Sequence, residues 1–203
     1  MSILSDLRST LRTLLNDSVA GGYLWGDSTL NLHINDAIRS YSRSFPREME
    51  TTIITVAGQA AYDLPAGCVA VVRVVAPGLV PEAMVEGGDA TGTGYEVYGG
   101  KLALLPALVE GGQSITVRYL APHAALALDT DASTAPAADE DLIFAFAAAR
   151  ALQSLAMEEA KRQLFEQRAG QSATSAAALY WEQYVLGVRG RGLGVRMGRL
   201  VAT

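Results

Sequence analysis

One cysteine, Cys68, in 203 residues excludes an internal disulfide and a thiolate zinc cluster. Histidine is scarce as well: His33 and His123 lie ninety residues apart and make no spaced ligand pair. No apolar run approaches the ~20 residues that a membrane helix needs. The N-terminus has no basic stretch leading into an apolar one, so no secretory signal is expected and the place of synthesis is the default address. Bases number 16 against 21 acids, a net charge of −5. That balance argues against a general nucleic-acid binder, which needs a basic face. There is no Walker loop, no G-x-S-x-G elbow and no dinucleotide fingerprint. No base can be assigned beside Cys68, which reads as a small buried hydrophobe, so neither an enzyme nor a cofactor is expected. Half of the chain is apolar and 18% is charged, enough to bury a core in one domain or one domain with an insertion.

What is present is unevenly placed. All 21 acids occur at or before Glu182, so residues 1–186 carry a net −9 and the last seventeen carry +4. Leu4, Leu7, Leu11, Leu14 and Leu15 recur at helical spacing and predict an amphipathic helix over 2–16. A second helix is predicted from Asp27, with Leu30, Ile34, Ala37, Ile38, Tyr41 and Phe45 on its apolar side, ending at Pro46. From Thr51 the period changes. The β-branched run Thr51–Val56, the run Val69–Val75 and the alternating Ser114–Leu120 read as strands. Tyr95–Leu105 reads as a hairpin turning at Gly99-Gly100, and 87–94 as a loop. Asp139-Glu140-Asp141 opens a long helix predicted to run to Arg168 and stop at Gly170. A last helix is predicted over 172–186, with Leu179, Tyr180, Tyr184 and Val185 available for packing. Five glycines between Gly187 and Gly198 argue against its continuing.

The fold class is therefore α+β. An antiparallel bundle of about four helices carries a β-rich insert between its second and third helices, and an extended tail follows. The expected divisions are a helical pair at 1–50, the insert at 51–121, a linker at 122–138, a second helical pair at 139–186 and a flexible basic tail at 187–203. Asp129 and Asp131 resemble the start of a calcium loop, but the frame lacks its glycine and most of its carboxylates, so plain linker is expected. Asp139-Glu140-Asp141 is accounted for by helix-start electrostatics rather than a metal. His33 is expected to be a hydrogen-bonded structural histidine. Arg189, Arg191, Arg196 and Arg199 among glycines leave two readings open, a nucleic-acid-binding arm and a solubilising tail.

Three stretches resemble one known family. Tyr23-Leu24-Trp25-Gly26-Asp27-Ser28-Thr29-Leu30 is similar to a W-(S/T)-D-x-(E/T)-L helix entry. Ile34-Asn35-Asp36-Ala37-Ile38-Arg39-Ser40-Tyr41-Ser42 is similar to I-N-x-A-(I/L)-R-x-(Y/F)-(S/A). Gly58-Gln59-Ala60-Ala61-Tyr62-Asp63-Leu64-Pro65 resembles a G-x-x-x-Y-x-L-P turn. Over about residues 1–186 the chain resembles the head–tail adaptor (connector) proteins of tailed bacteriophages. The resemblance implies a structural virion protein at the head–tail junction, assembled in the host cytoplasm. It implies a homo-oligomeric ring of twelve copies beneath the portal protein, a channel through which DNA passes without sequence-specific binding, and a platform for a tail or stopper protein. No membrane contact is implied. On this reading Arg189, Arg191, Leu193, Val195, Arg196, Met197, Arg199 and Leu200 form a portal-docking tail. The hairpin residues Tyr95, Tyr98, Gly99, Gly100 and Lys101 serve tail-side contacts.

Overall fold

A computed structural model describes residues 1–19, 22–75, 83–86, 94–105, 111–155 and 158–200, and the side chains of all but 83–86, 105 and 193–200. It divides into two compact units, Met1–Phe45 with His123–Thr203, and Pro46–Pro122.

The first unit is helical. Its described residues form α1 (Leu4–Leu14), α2 (Asp27–Ser44), α3 (Glu140–Leu155), α4 (Glu159–Ala169) and α5 (Ala173–Leu200), five helices rather than about four. The leucines of α1, the Leu30/Ile34/Ala37/Ile38/Tyr41 face of α2 and the alanine-rich α3 share one core. Alanine suits this place because a short side chain lets neighbouring helices approach. Chain directions follow from the contacts. Arg12 reaches Asp27 while Arg8, a turn earlier, reaches Asn31, so α1 and α2 are antiparallel. The Trp25 indole donates to the Ala151 carbonyl and the Tyr41 hydroxyl to Asp139, so α2 and α3 are antiparallel too.

Two helix ends differ from the sequence expectation. The long helix predicted over 139–168 is divided, α3 ending at Leu155 and α4 starting at Glu159. No glycine or proline marks the break. It leaves Phe165 of α4 buried edge-on against Trp25, 6.4 Å between ring centroids. Gly170 does end α4, in the left-handed conformation at φ +67°. The last helix does not stop at Leu186 but continues to Leu200. Val188 packed on the helical core and Arg191 paired with Asp139 and Asp141 oppose the propensity penalty of ~1 kcal/mol per glycine over the first part of this extension. A Cβ built on Gly187 would stand 2.3 Å from Leu142 Cδ2, the mobile end of a side chain, so α5 runs close to α3 here.

The segment expected as a linker is built into the helical unit. The Asp131 and Asp129 carbonyls accept the Leu4 and Ser5 amides, which satisfies the open N-terminus of α1. Asn35 holds Leu126 from both sides, donating to its carbonyl at 2.9 Å and accepting its amide at 2.8 Å. Leu126 and Ala135 are buried in the helical core.

The second unit is β-rich and begins at Pro46, somewhat before the expected Thr51. Its strands are β1 (Arg47–Ile54), β2 (Ala61–Asp63), β3 (Ala70–Val75), β4 (Ala83–Glu86), β5 (Gly94–Tyr98), β6 (Lys101–Leu105) and β7 (Ser114–Ala121). Two antiparallel ladders, β1–β7–β3 and β5–β6–β2, flank β4, which is antiparallel to β3 and parallel to β5. Period-two alternation in β1 and β7 places Ile115 and Val117 in a core with Tyr62, Val74, Tyr95, Leu102 and Leu104. The short strands β2 and β4 were not foreseen. Most of the expected loop at 87–94 lies outside the described residues.

Candidate docking surfaces

The three resembling stretches are structural hubs. Asp17, fully buried, is 2.6 Å from Arg12 and accepts the Leu24 amide at 2.7 Å. The Arg12 guanidinium also reaches Asp27 at 2.6 Å and the Trp25 carbonyl at 2.9 Å. Trp25 and Asp27 thus fix the entry to α2 through a charge-assisted network. In the turn before β2, Gly58 takes φ +76° and the Tyr62 hydroxyl donates to the Gln59 carbonyl at 2.9 Å. These residues build a scaffold, and the candidate contact surfaces lie elsewhere.

The first surface is the C-terminal part of α5. Arg191 pairs with Asp139 at 2.6 Å and Asp141 at 2.9 Å, and donates to the Ala138 carbonyl at 2.6 Å. Of the residues expected in a docking tail, Arg191 is therefore committed to the start of α3, whereas Arg189 is exposed. Leu193, Val195, Arg196, Met197, Arg199 and Leu200 follow on the α5 backbone, beyond the residues whose side chains are described.

The second is the hairpin. Gly99 and Gly100 have φ +57° and +76°, the pair of positive values that a two-residue type I′ turn requires. Tyr98 is 84% exposed, and Lys101 pairs with Asp63 at 3.0 Å. Tyr95, expected with them at the surface, is 4% exposed and belongs to the β-unit core.

A third surface was missed by the sequence reading. Asp36, Arg39, Ser40 and Arg43 of α2, Phe146, Arg150 and Gln153 of α3, and Trp181 of α5 line an open groove of about 530 Å³. Arg39 is held by Asp36 at 2.8 Å. Among the described residues no carboxylate pairs with Arg43 or Arg150. Gln153 and Trp181 also wall an adjoining apolar hollow of about 380 Å³ with Leu152, Thr174, Ala177 and Ala178. The spacing Arg39/Arg43 on one helix face is a sequence signal that could have pointed here.

The remaining candidates are accounted for by protein partners. The Arg8 guanidinium forks onto Asp129, which holds that carboxyl below the usual range; Asp131 accepts the Ala127 and Leu128 amides, with the same effect. Asp139 and Asp141 hold Arg191, and Glu140 accepts from Ser2. Burial pushes the Cys68 thiol up, away from the reactive thiolate. His33 departs from expectation: it is buried with neither ring nitrogen hydrogen-bonded among the described residues. His123, by contrast, is bracketed by the Thr134 hydroxyl and the Phe45 carbonyl, each at 3.0 Å. No group of metal-binding side chains occurs among the described residues, and none of their helices is long and apolar enough to cross a membrane.

Residues 2–189 match the family described as SU10 adaptor protein. The match takes in both units and ends within α5. A comparison with curated proteins found no match.

Proposed function

The chain belongs to the SU10 adaptor protein family, a family of bacteriophage structural adaptors rather than enzymes, and from that premise we propose that it assembles as a ring beneath the portal, extends the DNA channel and presents a platform to the tail. The observation that carries this reading is the family match across nearly the whole chain. Its hubs, Trp25/Asp27, Asn35 and Tyr62, serve the scaffold and hold no reacting group.

Charge supports it. Residues 1–186 carry −9 each, so twelve copies carry about −108, and acid facing a lumen repels phosphate and lets DNA slide. The end of α5 and the residues after it, with Arg196 and Arg199 beside Leu193, Val195, Met197 and Leu200, supply the portal contact. Arginine forks suit carboxylates there, and the apolar side chains add burial. The hairpin tip at Tyr98, Gly99 and Gly100 serves the tail side, as exposed loops on a rigid scaffold commonly do.

The test is a count of copies. Native mass measurement of portal–adaptor complexes is expected to give a fixed ring stoichiometry matching the portal. One adaptor bound per portal ring would overturn the reading. Retention of duplex DNA through the C-terminal arginines, without portal binding, would favour a nucleic-acid-binding arm instead.

A further inference from the structure

The groove beside Trp181 joins two chemistries in one wall. Its cationic half presents Arg43 and Arg150, exposed and without a carboxylate partner among the described residues. Its apolar half is floored by Leu152, Ala177 and Ala178, and the 43% exposed Trp181 borders both. A phosphate backbone could use the first half but finds nothing in the second, and the chain as a whole is acidic. The pattern fits a protein segment carrying apolar side chains around a carboxylate.

The same helix carries such a segment on another face. Leu179 and Leu186 are 50% and 58% exposed, and Glu182 stands between them, exposed and without an ion-pair partner among the described residues. At α-helical pitch, Leu179, Glu182 and Leu186 point roughly 110° away from the groove-lining Thr174, Ala178 and Trp181. One copy can therefore offer its outward face while its own groove is filled. Two different faces used head to tail generate a ring when the rotation closes.

We propose that this groove receives the outward face of α5 from a second copy of the chain, the neighbour's Glu182 lying against Arg43 and Arg150 and its Leu179 and Leu186 against the apolar half. The proposal rests on the ring reading above and names the contact that builds the ring.

Sedimentation equilibrium of the full chain, over a concentration series up to its solubility limit, tests it. The wild type is expected to self-associate, more weakly at high salt. Arg43→Glu/Arg150→Glu and Glu182→Arg are each expected to weaken association by about tenfold or more. Mixing these two variants is expected to restore it, because opposite charges face each other again. Where charge reversal lowers the melting temperature, Arg43→Gln/Arg150→Gln is expected to show the same loss. A wild type that stays monomeric, variants that associate unchanged, or a mixture that does not recover would overturn the proposal. So would labelled duplex DNA bound by the wild type and released by the arginine variant. In each case the ring reading still stands or falls on the portal copy count, so the two failures are distinguishable.

Discussion

His33 shows most plainly what a single residue does in this structure. It is 8% exposed on α2, and neither ring nitrogen has a hydrogen-bond partner among the described residues. Burial holds its pKa below the ordinary 6.5; Asp36 opposes that effect and Arg150 reinforces it. The sign follows from linkage. Below pH 6.5 the unfolded chain takes up the proton more readily than the native one. Stability is therefore fully present above pH 6.5 and is lost as pH falls through 6.5 toward the lower native value. His33→Leu removes the charge and both unpaired ring nitrogens. It is expected to raise stability at neutral pH by about 1 kcal/mol and to flatten its fall in acid. Urea unfolding at several pH values measures both effects, and an unaltered acid slope would exclude His33 as its source. The sequence showed His33 on a helix between apolar neighbours, but not that its ring nitrogens lack partners, because partners are set by tertiary contact. Asn35 was visible only as part of a family-like stretch; its clamp on Leu126, in a segment read as linker, is likewise a tertiary contact.

At the scale of elements, period and turn chemistry were the legible signals. The leucine stripe of α1, the α2 face ending before Pro46, the alternation of β7 and the Gly99-Gly100 hairpin are each written in a few neighbouring residues. Elements set by distant contacts were not legible. The extended Glu158 before α4 has no glycine or proline to mark it, and the Phe165–Trp25 contact beyond it is a tertiary one. The continuation of α5 past Leu186 brings Val188 onto the helical core and Arg191 to Asp139 and Asp141, far earlier in the chain. β2 is three residues long and exists by pairing with β6. The hairpin turn rests on the positive φ of Gly99 and Gly100. Valine at positions 99 and 100 would force two β-branched side chains into left-handed backbone, at about 1–2 kcal/mol each. Gly99→Val/Gly100→Val is expected to destabilise the β-unit by about 2–4 kcal/mol, whereas Gly99→Asn, which keeps the favoured Asn-Gly turn, is expected to be near neutral. Denaturant melts of the full chain followed by tyrosine signals check this. Equal midpoints for the two variants would mean that the turn conformation is not what holds the hairpin.

At the scale of the whole molecule, the charge asymmetry that stood out in the sequence is partly settled inside the chain. Arg191 neutralises Asp139 and Asp141 at the start of α3, and Val188 packs against the helical core, so the basic stretch does not begin as a separate tail. This moves the boundary at which a truncation is informative. Removing everything from Gly187 would strip Arg191 and Val188 from the core as well as any portal contact, and loss of attachment would then be ambiguous. Removing Leu193–Thr203 keeps both, and leaves intact the whole stretch that matches the family, which ends at residue 189. The shorter deletion spares every side chain described in the helical core, so it is expected to leave the thermal midpoint of the helical unit within about two degrees. It removes Arg196 and Arg199 with their apolar neighbours, and is expected to abolish portal attachment if those residues form the proposed contact. Pull-down of purified portal by full-length and shortened chains, alongside their melting curves, separates the outcomes. An unchanged melt with lost binding assigns docking to the last eleven residues. Binding at full-length affinity would leave them as a solubilising extension and shift the portal contact to Arg189 or to the helical unit itself.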